Sequence, residues 1–246
     1  MTIWGGRDNG RAARRAAGFL IVGVVLPQLA YAELRTIRID FSSDPADKAP
    51  AEFTSFAGGK GDGGRWIVLA DQTSPVTEKV VAQTSARDTR HDHYAILAYN
   101  RGVFRKARIS TRVKIESSSS DEASAGLAFR YKDPDAYYAF EISSGNGTAS
   151  LYRFDGGKRE LLRRSYILIP RDTWHELVVE CDESEAECLL NGTSLFRSSL
   201  SQFWKGKVGF WTRADTLARF ADLVVLPGEE TRVVDRLTKK LREVLP

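Results

Sequence analysis

Alternation of apolar and polar residues with a period of two is the dominant pattern along this chain. In the run GLAFRYKDPDAYYAFEI, which begins at Gly126, one face of the first strand carries Leu127, Phe129 and Tyr131. Pro134 cannot donate to a strand ladder, and it lies between two aspartates. The run therefore predicts a β-hairpin.

The same alternation recurs from residue 34 to residue 226, in about twelve short runs separated by Gly, Asn and Asp. Clear examples are YAILAY at 94–99 and ARISTRVKIE at 107–116. Residues 42–65 contain two prolines and a Gly-rich run, which predict a loop. Short strands with regular turn signals are typical of two packed antiparallel sheets. We therefore predict an all-β, antiparallel jelly-roll β-sandwich over residues 33–228.

The last segment, residues 229–246, follows a different period. Its apolar residues recur at helical spacing, Arg and Lys occupy the other face, and Glu229 and Glu230 stand at its start. This pattern predicts a C-terminal amphipathic helix. The helix could pack against the sandwich, or it could dock on a membrane surface or on a protein partner.

The first 32 residues have the features of a signal peptide. Basic residues precede the apolar run Ala16–Leu26, and Ala30 and Ala32 supply small residues for cleavage. Cleavage near Ala32 predicts a secreted or periplasmic protein, with an uncleaved anchor as the alternative.

Charge argues against a nucleic-acid partner. The whole chain has 36 Lys and Arg against 32 Asp and Glu, and the leader holds four of the basic residues and one of the acidic ones. The remaining chain is therefore close to neutral, with a formal charge of about +1, whereas nucleic-acid-binding domains concentrate positive charge.

Cys181 and Cys188 are the only cysteines, and the six residues Asp-Glu-Ser-Glu-Ala-Glu separate them between two strand-like runs. In an oxidising compartment, this spacing favours a disulfide that closes a hairpin. Two cysteines without further ligands make a poor zinc site, since a structural site needs four.

Several runs together resemble the concanavalin A-like lectin/glucanase superfamily. They are GLAFRYKDPDAYYAFEI, LYRFDGGKREL, TWHELVVE, LLNGTSLF and GKVGFWTRADTLARFADLVV, within about residues 34–226. More narrowly, the chain is similar to laminin-G-like jelly rolls of secreted bacterial proteins and to 3-keto-disaccharide hydrolase domains. Those hydrolases usually open with Leu-Phe-Asn-Gly-x-x-Leu-x-Gly-Trp, which is absent here.

The resemblance implies a carbohydrate-binding module that recognises a glycan on its concave sheet face. The alternative is a hydrolase or lyase of glycosidic bonds, with Glu141 as general acid/base, and a third possibility is a structural module that docks through its C-terminal helix. No cofactor is required. Relatives that hold a structural Ca²⁺ imply that Asp40 and Asp222, on the first and last strands, could form such a site.

Four side chains are the first candidates for glycan contact, because they fall out of phase with the apolar residues of their strands. They are Arg130, Glu141, Trp211 and Arg213. An indole ring can stack on the C–H face of a sugar, while guanidinium and carboxylate groups bind its hydroxyls. Two alternatives remain open at this point: Trp211 belongs to a second buried layer, or Arg130 and Glu141 form a cross-strand ion pair.

Glu180, Asp182 and Glu185 match the Glu-x-Asp-x-x-Glu pattern of glycoside hydrolase family 16. Retaining hydrolysis requires two carboxylates about 5 Å apart, one of which has a raised pKa. Here the pattern spans a predicted hairpin tip, where its glutamates would be solvated. We therefore interpret the match as a coincidence.

Overall fold

A computed structural model describes residues 36–86, 92–119 and 122–228. The described residues form sixteen strands: β1 Ile37–Ile39, β2 Phe53–Gly59, β3 Trp66–Ala70, β4 Lys79–Gln83, β5 His93–Tyr99, β6 Ala107–Ile115, β7 Ser124–Asp133, β8 Ala136–Ser143, β9 Thr148–Asp155, β10 Lys158–Tyr166, β11 His175–Cys181, β12 Glu185–Leu190, β13 Thr193–Ser199, β14 Lys207–Arg213, β15 Ala218–Phe220 and β16 Leu223–Pro227. Each of these strands except β12 contains valine, isoleucine or an aromatic residue, and such side chains suit a pleated, half-buried surface.

The strands form two antiparallel sheets. One sheet has seven strands in the order β10-β9-β8-β7-β14-β5-β2. The other has nine, with the path β13-β12-β11-β6-β15-β4-β3, while β16 pairs with β6 and with β1. All the described strand pairs are antiparallel. The prediction of an all-β, antiparallel two-sheet sandwich is confirmed.

The main core lies between the sheets and takes alternate residues from each. Phe210 of the seven-stranded sheet stacks on Phe220 of the nine-stranded sheet, with ring centroids 4.5 Å apart. Phe53 stacks on Phe210 at 5.7 Å. Leu127 and Phe140 are fully buried in the same cluster, as the alternation of the hairpin predicted.

β2 lies inside the segment that was predicted to be a loop. Its sequence FTSFAGG has few large apolar residues, so no alternation indicated a strand. Its strand structure comes from pairing with β5. The signal peptide at 1–32 and the amphipathic helix at 229–246 lie outside the described residues. Within the described ranges, no helix is long and apolar enough to cross a membrane.

The predicted disulfide is not formed: Cys181 and Cys188 are both free and buried. Cys181 pairs with Ala186, whereas Cys188 pairs with Val179, so the two cysteines are diagonal neighbours on one face of the β11–β12 hairpin. Diagonal neighbours on a sheet are about 7–8 Å apart. A disulfide needs a Cα separation below about 7 Å, which explains the absence of the bond.

A β-bulge interrupts β7 and reverses the predicted direction of two side chains. Arg130 has a φ of 47°, and the pairing of β7 with β8 is irregular between Phe129 and Asp133. Beyond the bulge, Tyr131 belongs to the cluster on the opposite face of the sheet from Phe129. Bulges re-aim side chains in this way. The period-of-two prediction therefore fails at Arg130 and Tyr131.

Candidate functional site

A second hydrophobic cluster covers the face of the seven-stranded sheet that points away from the main core. We call it the outer cluster; its members are Tyr94, Ile96, Ala98, Ala128, Tyr131, Tyr137, Ala139, Tyr152, Phe154 and Trp211, with Phe56 packed against them. Its aromatic rings contact one another: Tyr137 stacks on Phe154 at 4.3 Å, and Tyr94 stacks on Trp211 at 5.5 Å. The outer face is thus an aromatic floor rather than a row of solvated polar residues.

Strand register places charged residues beside this floor. One row across the sheet, from β2 to β10, consists of Phe56, Ile96, Trp211, Gly126, Glu141, Ser150 and Arg164. The row thus contains Glu141 of the interior strand β8 and Arg164 of the edge strand β10. Arg213 lies in the adjacent row with Tyr94, and Arg159 lies opposite Phe154.

Glu141 is a carboxylate within the sheet face, with only 2% of its surface exposed. Its Oε1 accepts a hydrogen bond from Nη2 of Arg159 at 3.1 Å. Its Oε2 is buried and has no hydrogen-bond partner among the described residues. Burial raises the pKa of Glu141, and the charges of Arg159, Arg213 and Arg164 only partly oppose this effect. The unpartnered oxygen is an acceptor that a ligand reaches only when the side chains covering it move aside.

Arg159 connects Glu141 to two tyrosine rings. Its guanidinium carbon lies 3.7 Å from the ring centroid of Tyr152 and 5.9 Å from that of Tyr94. Its Nε is buried without a hydrogen-bond partner among the described residues. Burial raises the pKa of Tyr94, so its phenol stays protonated at neutral pH and can donate a hydrogen bond. Guanidinium, phenol and carboxylate thus meet at one place on the sheet face.

The part of this face on β10 is open to solvent. Arg164 is exposed; its Nε donates to Ser150 Oγ at 3.2 Å, and its Nη2 donates to the Tyr152 hydroxyl at 2.6 Å. Tyr166 is 83% exposed and Leu161 is 44% exposed. An aromatic ring, an aliphatic side chain and a guanidinium group are therefore accessible along one strand.

Arg213 lies on the same face at the end of β14. Its Nη2 contacts Oε2 of Glu122 at 3.2 Å, and its charge partly opposes the rise in the pKa of Glu141. The charges of three arginines therefore act on the buried carboxylate of Glu141.

Of the four residues predicted to contact a glycan, three lie on the outer face and one does not. Glu141, Trp211 and Arg213 share that face, but Trp211 is fully buried, and its Nε1 donates to the Tyr137 hydroxyl at 3.3 Å. Trp211 therefore supports the floor, as the alternative of a second buried layer supposed. Whether these residues bind a glycan stays a prediction.

Arg130 belongs elsewhere in the fold. It is 1% exposed, and its Nη2 donates to the carbonyl oxygens of Asp182 and Glu183 in the turn between β11 and β12. Burial lowers its pKa. The alternative prediction of an ion pair between Arg130 and Glu141 is wrong. The bulge turns Arg130 towards the other sheet, and Glu141 forms its ion pair with Arg159.

Asp40 and Asp222, the predicted Ca²⁺ ligands, follow and precede the paired residues Ile39 and Leu223. Oδ2 of Asp222 lies 2.8 Å from Nη1 of Arg112 and 3.7 Å from Nη1 of Arg38. Asp40 accepts hydrogen bonds from Ser42. Asp222 is thus already paired with guanidinium groups and Asp40 with Ser42, so the residues do not favour Ca²⁺, whose binding stays a prediction. Within the described ranges, no three His, Cys, Asp or Glu side chains form a cluster that could hold a metal.

The Glu-x-Asp-x-x-Glu match lies at the end of the β11–β12 hairpin. Glu180 forms an ion pair with Arg108, and Asp182 accepts backbone hydrogen bonds from Ser184 and Glu185 within the turn. The match is therefore a turn structure, in agreement with its interpretation as a coincidence.

Sequence reasoning missed Arg159, Arg164, Tyr94 and Tyr152. The sequence did contain a signal for Arg159 and Tyr152. The turn Asp155-Gly156-Gly157 joins β9 to β10 and sets the register of these two strands. Counting back from that turn places Arg159 opposite Phe154, on the same face as Tyr152. The approach of Tyr94 depends on β5, which lies far away in sequence, and no local pattern reports it.

Comparison with known proteins supports the fold. No family model matches the chain, and the search of curated proteins found no match. Among solved structures, the carbohydrate-binding module CBM66 from Bacillus subtilis has a TM-score of 0.55 at 16% identity, over 70% of this chain and 93% of that chain. A mutant of the GH43 protein BlXynB from Bacillus licheniformis has a TM-score of 0.50 at 11% identity, over 83% of this chain and 41% of that chain. At these identities the likeness shows the fold alone, an antiparallel β-sandwich like that of the CBM66 structure.

Proposed function

We propose that this protein binds a glycan on the outer face of its seven-stranded sheet. The observation that carries the proposal is the buried carboxylate of Glu141, whose Oε2 has no partner among the described residues and lies beside the guanidinium of Arg159. Leaving such a group unsatisfied costs about 1–3 kcal/mol. A sugar hydroxyl would satisfy it, because a hydroxyl donates one hydrogen bond and accepts others.

The surrounding side chains suit the rest of a sugar. Arg159 and Arg164 can donate to hydroxyl oxygens, and the exposed ring of Tyr166 offers a flat apolar surface for the C–H groups of a pyranose. A protein of similar fold supports the proposal, since the CBM66 structure is described as a carbohydrate-binding module. The leader pattern adds the proposal that the protein acts outside the cytoplasm, in the periplasm or the medium.

A glycan array with the purified protein tests this function, with the variants Glu141→Gln and Glu187→Gln in parallel. Glu187 is a matched control, because it is also hydrogen-bonded to an arginine, Arg197, but lies on the other sheet. Binding should weaken by roughly tenfold or more in Glu141→Gln, as expected for a lost hydrogen bond to a charged group, and should be unchanged in Glu187→Gln. Folded protein that binds no glycan on the array would contradict the proposal.

A hydrolase or lyase is the second candidate, favoured by the raised pKa of Glu141, which suits a general acid. Retaining and inverting hydrolysis both need a second carboxylate. Within the described residues, the ion pair of Glu141 is with Arg159, and Glu122, which contacts Arg213, is a further carboxylate recorded beside this face. Release of reducing sugar by the wild-type protein, abolished in Glu141→Gln, would establish the enzyme.

A further inference from the structure

We propose that the glycan bound on the outer face is anionic, and that Arg164 receives its carboxylate or sulfate group. This inference rests on the glycan-binding function proposed above and names the class of sugar. It follows from the balance of charge on the face, the contacts of Arg164 and the exposed groups beside it.

The charge on the face is unbalanced. Around Glu141, the described part of the face carries Arg159, Arg164 and Arg213, and Glu122 contacts Arg213 from the loop before β7, whereas Asp133 and Asp135 act on Tyr131. Glu141 is already paired with Arg159. The two glutamates are thus engaged by two of the arginines, and the third positive charge is that of Arg164.

Arg164 contacts no carboxylate among the described residues. Its hydrogen bonds go to the neutral hydroxyls of Ser150 and Tyr152, which orient the guanidinium without neutralising it. The side chain is exposed. An oriented, accessible guanidinium is suited to a carboxylate or sulfate, which it can bind through two parallel hydrogen bonds.

The groups around Arg164 fit the remainder of an acidic sugar. Tyr166 follows it on the same face and is 83% exposed, so a sugar ring can stack there while its acidic group reaches the guanidinium. Deeper in the face, Oε2 of Glu141 and Nε of Arg159 are buried without partners among the described residues. Once the side chains that cover them move aside, they offer one acceptor and one donor to the hydroxyls of the sugar.

The test compares an oligogalacturonate with its fully methyl-esterified form, which has the same backbone without charge, and a dextran sulfate oligosaccharide with dextran. Affinities are measured by calorimetry at physiological ionic strength for the wild type and for Arg164→Gln, Arg164→Lys and Arg163→Gln. Arg163 is the matched control, because it lies on the same strand and is also exposed, but its register partner Leu151 belongs to the main core face. Arg163→Gln therefore removes the same charge from the opposite face.

We expect an acidic oligosaccharide to bind at least tenfold more tightly than its neutral counterpart. Arg164→Gln should weaken acidic binding by roughly tenfold to a hundredfold, Arg164→Lys should weaken it less, and Arg163→Gln should leave it unchanged. The carboxylated and sulfated probes show which acidic group is preferred, and preference for either supports the proposal.

Three results would overturn it, and they differ from a failure of the proposed function. Equal affinity for acidic and neutral sugars would leave glycan binding intact and remove the anionic preference. Equal losses in Arg164→Gln and Arg163→Gln would show general attraction of charge rather than a site. Absence of binding to every probe on the array and in solution would refute both proposals.

Discussion

At the scale of single residues, Glu141 combines burial with an incomplete set of hydrogen bonds. Burial raises its pKa above the ordinary value for glutamate, because the low-dielectric surroundings disfavour the charged form more than the nearby arginines favour it. The same residue therefore couples the proposed site to the stability of the fold.

The first prediction concerns the pH dependence of stability. A carboxyl group with a raised pKa binds its proton more tightly in the folded than in the unfolded protein. Its contribution to the free energy of unfolding is therefore fully present below the unfolded pKa, about 4.3, and is lost as pH rises through the folded pKa. The free energy of unfolding is measured with urea at pH values from below the unfolded pKa to above the folded pKa. The Glu141→Gln variant should not lose this contribution, so its stability relative to wild type should improve as pH rises.

Glu187→Gln provides a control of opposite sign. Hydrogen bonds from Ser194 and Arg197 lower the pKa of Glu187, so its contribution is present above the unfolded pKa and is lost as pH falls through the folded pKa. A relative stability of Glu141→Gln that does not change with pH would contradict the raised pKa of Glu141.

The second prediction concerns Gly126, which lies between Trp211 and Glu141 in the row across the sheet. A Cβ atom there would lie 1.9 Å from the carbonyl oxygen of Phe140, a backbone atom that cannot move aside freely. Overpacking a core typically costs about 1–3 kcal/mol. We expect Gly126→Ala to lower the free energy of unfolding, measured by urea unfolding, by an amount at the upper end of this range.

Gly192→Ala is the matched control for this substitution. Nothing lies within 4 Å of its added Cβ, and its φ of 79° imposes only the cost of the left-handed conformation, about 1 kcal/mol. Equal losses in the two variants would show that crowding at Gly126 is unimportant.

At the scale of elements, the β11–β12 hairpin is held by register and burial rather than by a covalent bond. Its two thiols lie in the main core, and Arg130 of β7 donates to the carbonyls of its turn. Burial raises the pKa of both thiols, which keeps them protonated and poorly nucleophilic.

The third prediction follows from this arrangement. A thiol-reactive dye should label neither Cys181 nor Cys188 in the native protein and both in denaturant without reductant. Intact mass should not change on reduction. A chain that shows no free thiol in denaturant would demonstrate a disulfide and would require β12 to shift along β11.

At the scale of the whole molecule, the sandwich was predictable because it follows from local information. Alternation along each strand and glycine or asparagine at each turn are present in the sequence, and they are sufficient to predict two packed sheets. β2 was missed because its Gly-rich sequence lacks that alternation, and pairing with β5 supplies its stability.

The site was only partly predictable, for reasons of long-range geometry. Glu141 and Arg213 were identified because they are out of phase on regular strands. Arg130 was wrongly included because the bulge depends on distant packing: a Cβ on Gly206 would lie 2.2 Å from the carbonyl carbon of Arg130. Its place beside Glu141 is taken by Arg159, two strands away, and only the completed sheet brings that pair together.

The position of β10 at the end of the seven-stranded sheet has a further consequence, for solubility. An edge strand has unpaired backbone groups to which a strand of another molecule can add, and charged side chains and bulges oppose such aggregation. β10 has both, with the sequence KRELLRRSY and a bulge between Leu161 and Arg163. The arginines proposed to hold a sugar thus also keep molecules apart, so selection for tighter or looser binding on this strand would be limited by the need to remain soluble.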